Sequence, residues 1–226
     1  MWLALTNGKV RLERDARRAL DHELRHAEDV LTSMVFGRLA YLPPQLAWEI
    51  VVGAADVLRG SRVPAPGAFS QELWPTLRAP DDVQQDRVEP DVVWTAPELA
   101  LVVEVKWHAP HTAGQIRNEQ WTVAAHHPDC HVVMVALGSV PRAVREQLAR
   151  DCEVPSLLAL SWAELRASID RVVERQGVAA HHRLVLEDVL GILESRGLRK
   201  AQHLSDLHIE RPRETAEGDM ARWRVT

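Results

Sequence analysis

The chain has only two cysteines, one tyrosine and two phenylalanines among its 226 residues. Cys130 and Cys152 cannot make a disulfide framework, and no C-x-x-C pair offers a zinc ribbon or a redox dithiol. No apolar run approaches the ~20 residues that cross a bilayer. The start, Met1-Trp2-Leu3-Ala4-Leu5, lacks the basic segment and long apolar stretch of a secretory signal. The expectation is a reduced, cytoplasmic compartment with no membrane contact. The chain has no G-x-x-x-x-G-K-[ST] phosphate loop, no G-x-G-x-x-G and no G-x-S-x-G elbow, which removes the commonest nucleotide and serine-hydrolase sites. It also lacks an excess of positive charge: 27 Lys and Arg face 32 Asp and Glu, a formal net charge of −5. Internal repeats and low-complexity tracts are absent as well.

What is present centres on two Val-rich runs. Glu89-Pro90-Asp91-Val92-Val93-Trp94 is followed by Leu101-Val102-Val103-Glu104-Val105-Lys106. Both have the composition of buried strands, and Thr95-Ala96-Pro97-Glu98 between them reads as a hairpin turn, with Pro97 ending the ladder. If Thr95 pairs with Ala100, Val93 pairs with Val102 and Asp91 falls opposite Glu104. Strand side chains alternate faces, so Glu104 and Lys106 share a face, and Asp91 would join them at roughly 5 Å. Leu101, Val103 and Val105 take the other face, toward a core. A one-residue slip would break the trio apart. Charges on buried strands need partners or a metal, so Glu104 and Lys106 also read as a plain structural ion pair.

A Pro-Asp pair followed by Glu-x-Lys at this spacing resembles the PD-(D/E)xK nuclease superfamily. That resemblance covers roughly residues 20 to 165. It implies an α/β restriction-endonuclease-like core, a central mixed sheet flanked by helices. In this family a helix before the first core strand often adds an acid. Here Leu20, Leu24, Ala27, Leu31, Met34 and Val35 carry helical spacing, and Glu28 borders that apolar face while Asp29 points away. Without a metal, Glu28 would reach water or pair with Arg25. The phrase from Glu28 to Gly37, then Tyr41-Leu42-Pro43, looks like the opening helix of bacterial members found in defence or mobile elements. After the Glu-x-Lys strand the family often places a Gln on the next helix, and Gln115 in Ala113 to Trp121 is the match. Four residues on stands Glu119, where the stricter pattern has Tyr. Gln115, Asn118, Glu119 and Thr122 form one polar stripe, which also reads as a solvated face.

The resemblance implies a Mg²⁺-dependent deoxyribonuclease, with Mn²⁺ able to substitute. Glu28, Asp91 and Glu104 would hold the metal, with the Val105 carbonyl as a further ligand. Lys106 would act at the attacking water or scissile phosphate, and Gln115 would position water or phosphate. The alternative is a catalytically inactive, nuclease-like binding or structural subunit of a larger nucleic-acid-processing complex.

The acidic balance shapes the partner. Much nucleic-acid affinity comes from Lys and Arg on phosphate, and the candidate basic clusters are diluted by acids: Arg11, Arg14, Arg17, Arg18 and Arg25, and Arg196, Arg199 and Lys200. Weak DNA binding by the isolated chain is expected, with a partner protein or self-association aiding recruitment; tight, salt-resistant binding by the monomer would contradict this. His108, His111, His126, His127, Cys130 and His131 form a histidine-rich stretch. A zinc site there, or a phosphate contact from His108 and His111, is a weaker reading.

Further helices are expected over Pro141 to Asp151, Trp162 to Glu174 with Ser161 as cap and Glu164 completing a capping box, and Ala180 to Ser195 ended by Gly197. Strands are expected over Phe69 to Trp74, His131 to Leu137 and Ser156 to Leu160, and a polar loop over Asp81 to Arg87. The organisation expected is a core over 1–165 and a helical extension over 166–226 packed on it.

Overall fold

The computed structural model describes residues 28–199 apart from 82, 84 and 108. The part of the expected helix before Glu28, Arg25, the cluster from Arg11 to Arg25, His108, Lys200 and the C-terminal segment after it lie outside the described residues. In chain order the elements are α1 (Glu28–Leu39), α2 (Pro44–Val51), β1 (Asp56–Arg59), β2 (Ser70–Leu73), β3 (Leu77–Arg78), β4 (Arg87–Val88), β5 (Val92–Ala96), β6 (Leu99–Val105), α3 (Ala113–His126), β7 (His131–Gly138), α4 (Arg142–Asp151), β8 (Leu157–Ser161), α5 (Trp162–Glu174) and α6 (Ala180–Ser195). The chain is α/β: a six-stranded mixed sheet in the order β1-β8-β7-β6-β5-β2, with helices on both faces.

The β5–β6 register follows from a two-residue turn. Ala96 pairs with Leu99, so Pro97 and Glu98 alone make the reversal, and β5 takes up Thr95 and Ala96 of the expected four-residue turn. Thr95 then pairs with Ala100 and Val93 with Val102, as the alternation requires. β6, β7 and β8 are parallel, joined by α3 and α4, and β6 is buried along its whole length. This is the pattern of a central strand covered on both faces.

Alternation along β6 sorts the two cores. Leu101, Val103 and Val105 face the layer of α1, α2, α5 and α6, together with Val35, Ile50, Leu165 and Val189. Ala100 and Val102 face α3 and α4, with Ile116, Val123 and Leu148. Glu104 continues this second row, so its carboxylate points under α3. Each fully buried aliphatic side chain contributes about 1.5–3 kcal/mol, and that drive fixes the register, since a slip would exchange the two rows. Trp94 fills the first layer, with Phe69 stacked on it at 4.4 Å and its indole N–H donating to Gln71 Oε1 at 2.7 Å.

The expected boundary at residue 165 falls inside α5, and α5 and α6 share the first core with the sheet. Ser161 caps α5 in a complete capping box with Glu164, and Gly197, at φ 88°, ends α6. Three short strands were not expected: β1, β3 and β4. Their sequences, DVLR, LR and RV, are too short and too polar to carry a two-residue period. β4 replaces the end of the expected Asp81–Arg87 loop, and β2 is shorter than the Phe69–Trp74 strand foreseen. Among the described residues no helix is long and apolar enough to cross a membrane.

Candidate active site

Four charged side chains, Glu28, Asp91, Glu104 and Lys106, gather where the chain leaves the sheet at the end of β6. Glu104 is 2 % exposed, and its Oε1 accepts from Lys106 Nζ at 2.5 Å and from Gln115 Nε2 at 2.6 Å. Asp91 lies one residue before β5, across from Glu104, and its Oδ2 accepts the Val105 N–H at 2.8 Å. Glu28, the first residue of α1, arrives from the opposite layer: Oε2 accepts the Trp107 N–H at 2.5 Å and Oε1 lies 3.6 Å from Lys106 Nζ. The structure thus brings together Glu28, Asp91, Glu104, Lys106 and Gln115, and with them the backbone of Val105. Asp29 is exposed and faces away, as the helix geometry dictates.

One acid was not singled out from the sequence. Glu119, one turn after Gln115 on α3, is 2 % exposed and lies against Glu104 and Gln115. The polar stripe of α3 is therefore not a solvated face. Ile116 and Val123 are the apolar anchors that press α3 onto the sheet, and the stripe beside them is carried inward with Glu119 and Thr122 buried. Thr112 fixes the start of this helix by accepting the Gln115 N–H at 3.2 Å.

The electrostatics follow from crowding acids into a poorly hydrated corner. Burial, then the charge of Glu104, pushes Asp91 up to about 7, against the Val105 hydrogen bond and the Lys106 charge. Burial and Glu104 push Glu119 up to about 10, so Glu119 carries a proton at neutral pH and can donate it to Glu104. Burial alone would lower Lys106, but its hydrogen bond and charge pairing with Glu104, and the nearby Glu28 and Asp91, raise it above its ordinary value. Burial lowers His111 to about 4, so this ring is neutral. Its nitrogens lie near the Leu137 carbonyl without a well-formed hydrogen bond.

Lys106 is held from behind. Its N–H donates to the Leu137 carbonyl at 2.7 Å, and its own carbonyl accepts the Trp162 indole N–H at 3.0 Å. Gly138 makes the close approach possible: a Cβ there would stand 2.6 Å from the Lys106 carbonyl oxygen and 3.1 Å from His111 Nε2. A backbone oxygen cannot give way as a side-chain tip can. Gly138→Ala should therefore push the end of β6 from β7, costing about 1–3 kcal/mol by thermal unfolding. Any activity of Lys106 should fall further than that loss of stability explains.

His126, His127 and His131 do not join this cluster. His126, His127 and Cys130 line a cleft of 560 Å³ beside Thr95 and Pro97, at the turn end of β5–β6 and away from Glu104. His126 Nε2 is 3.0 Å from the Arg78 carbonyl oxygen, and His131 Nε2 is 2.9 Å from Ser156 Oγ. Among the described residues no three of His, Cys, Asp and Glu form a ready-made metal cage. In the acid cluster the Lys106 ammonium stands between Glu28 and Glu104. The donor set nevertheless suits a hard cation. Asp91 and Glu104 supply oxygens, Mg²⁺ keeps several waters and needs few protein ligands, and a divalent charge would relieve the repulsion that raises Asp91 and Glu119. No family model, curated protein or solved structure matches this chain.

Proposed function

We propose that this chain is a metal-dependent nuclease with a restriction-endonuclease-like core, hydrolysing DNA phosphodiester bonds. The observation that carries the reading is the convergence of Asp91, Glu104 and Lys106 at one end of β5–β6, with Gln115 bound to Glu104. An ordinary ion pair needs Glu104 and Lys106 alone. It does not need Asp91 and Glu119 held against them at raised proton affinity, nor separate N–H donors on Asp91, Glu28 and Glu104.

Each residue has a task set by its contacts. Asp91, anchored through Oδ2, keeps its second oxygen for a ligand. Glu104 is oriented by Gln115, which makes Gln115 a positioning residue. Lys106 stays protonated, so it stabilises negative charge on the phosphate and on the attacking oxygen and does not act as the base. Glu28 ties the site to α1 and holds the chain at Trp107. Mg²⁺, when bound, lowers the pKa of a water and stabilises charge on the phosphate oxygens.

Cleavage of plasmid and of linear single-stranded DNA, with Mg²⁺ or Mn²⁺, tests the reading against an EDTA control and a Glu104 variant. Metal-dependent cutting lost in the variant is the expected result. Cutting that survives the variant would sink the site assignment. Absence of cutting, together with no metal-dependent rise in melting temperature, would favour a nuclease-like binding subunit.

A further inference from the structure

Two arginines stand side by side on the protein, and among the described residues no acid forms an ion pair with either. β3 and β4 form a separate ribbon in which Leu77 pairs with Val88 and Arg78 with Arg87. Val88 is buried with Ala79 and Val83, and Leu77 packs toward the α3 layer, so alternation turns both arginines to the exposed face. Like charges directly opposed across a ribbon are destabilising. Even so, neither guanidinium has an ion-pair partner among the described residues. Asp81 and Asp86 share a hollow of 530 Å³ with both arginines without closing on either.

This hollow leads to the candidate active site. Arg87 and Gln85 also line a second groove of 330 Å³, whose far wall is Gln115, Asn118 and Glu119, with Glu89 at its side. Gln115 and Glu119 are the two residues of α3 that touch Glu104. A polar path therefore runs from the arginine pair to the acid cluster. No aromatic side chain lines it, so it offers no platform for stacking bases. Its two guanidiniums, beside Asp81 and Asp86 but paired with neither, suit the repeating charge of a sugar–phosphate backbone, which positions a nucleic acid without reading sequence. An acidic peptide would satisfy the arginines but has no use for a hydrolytic cluster at the other end of the same groove.

Resting on the nuclease reading, we infer that the β3–β4 ribbon is a phosphate clamp. Arg78 and Arg87 hold the DNA backbone beside the scissile position and guide the strand along the groove between the ribbon and α3. In a chain of net charge −5, phosphate contacts depend on individually placed cations such as these two arginines.

The test is the binding of a short fluorescein-labelled oligonucleotide, single- and double-stranded, by fluorescence anisotropy in Ca²⁺ across a salt series, using the full chain. Arg78→Gln/Arg87→Gln should weaken binding about tenfold or more at low salt and reduce the log–log salt slope by about 1 to 2. Its melting temperature should hold or rise, because the opposed charges are gone. Arg78→Lys/Arg87→Lys should restore most of the slope. In cleavage, the glutamine pair should raise KM and leave kcat near wild type. Unchanged affinity and slope overturn the clamp, as does wild-type protein that binds no DNA at low salt. A glutamine pair that melts lower and is not rescued by lysine also overturns it, since the arginines would then be structural. If wild type cuts DNA and the glutamine pair cuts with unchanged KM, the clamp fails and the nuclease stands. If arginine-dependent binding appears without metal-dependent cutting, the clamp stands and the hydrolytic reading fails.

Discussion

Glu104→Gln is expected to lower metal-dependent DNA cleavage by at least about 10³-fold, the scale on which electrostatic and metal-bound groups act in hydrolysis, while the chain stays folded. The substitution keeps the volume of a side chain that is 2 % exposed, so no cavity opens under α3. It also keeps an oxygen that can accept from Lys106 and Gln115. What it removes is the charge. Lys106 then keeps Glu28, at 3.6 Å, and the charge of Asp91, but it loses the hydrogen bond and charge that hold its proton most firmly. Asp91 loses the like charge that helps raise it. The comparison is made at matched Mg²⁺ concentrations, with circular dichroism and thermal melting as folding controls. Wild-type cleavage rates in a folded Glu104→Gln protein would show that the reaction, if any, is elsewhere. Glu104→Ala is the harsher control, because it also leaves the Gln115 amide and the Lys106 ammonium short of an acceptor.

The parts of this site that could be read in the sequence are those set by local geometry. A two-residue turn at Pro97-Glu98 and strict alternation fix the β5–β6 register, so the places of Asp91, Glu104 and Lys106 follow from counting. Glu28 was found through the helical face of α1. Its reach to Trp107 depends on how α1 crosses the end of the sheet, which no local pattern encodes. Glu119 shows the limit most clearly. On its own helix it belongs to a polar stripe, and only the packing of Ile116 and Val123 onto β6 turns that stripe toward Glu104. One signal was available: the stripe begins at Gln115, itself assigned to the site, and Glu119 is its next turn. Gly138 escaped for the same reason, and His111 was read only as a weaker phosphate contact, since their places arise where β7 ends beside Lys106. The ribbon of β3 and β4 was hidden by its brevity and by the Pro-rich approach around it.

The acid cluster should also write itself into stability. A carboxyl whose folded pKa is raised contributes stability that is fully present below its unfolded value and is lost as pH rises toward the folded value. For Asp91 that window runs from its ordinary 3.8 to about 7, and for Glu119 from 4.5 to about 10. His111 has the opposite sign: its lowered pKa makes stability fall as pH drops from 6.5 to about 4. Below pH 6.5 the histidine therefore offsets one of the two acids. Between 6.5 and 7 both acids act unopposed, and from 7 to 10 Glu119 acts alone. Lys106, raised above its ordinary 10.5, enters only at higher pH. Without divalent ions the melting temperature should thus fall as pH rises through neutrality. The Glu119 share is at most about 1.4 kcal/mol per pH unit, or roughly 3–6 °C per unit for a chain of this size. Glu119→Gln mimics the protonated acid, so it should keep the fold and flatten the decline above pH 7. Mg²⁺ competes with protons for the same oxygens, so the stabilisation it gives wild type should grow with pH across this range. Differential scanning calorimetry of wild type and Glu119→Gln, with Mg²⁺ and with EDTA, reads both effects. Parallel melting curves for the two proteins from pH 7 to 10 would mean that Glu119 is already ionised in the folded state. In that case the proton between Glu119 and Glu104 does not exist, and Glu119 would be a fourth ionised acid of the site, beside Glu28, Asp91 and Glu104.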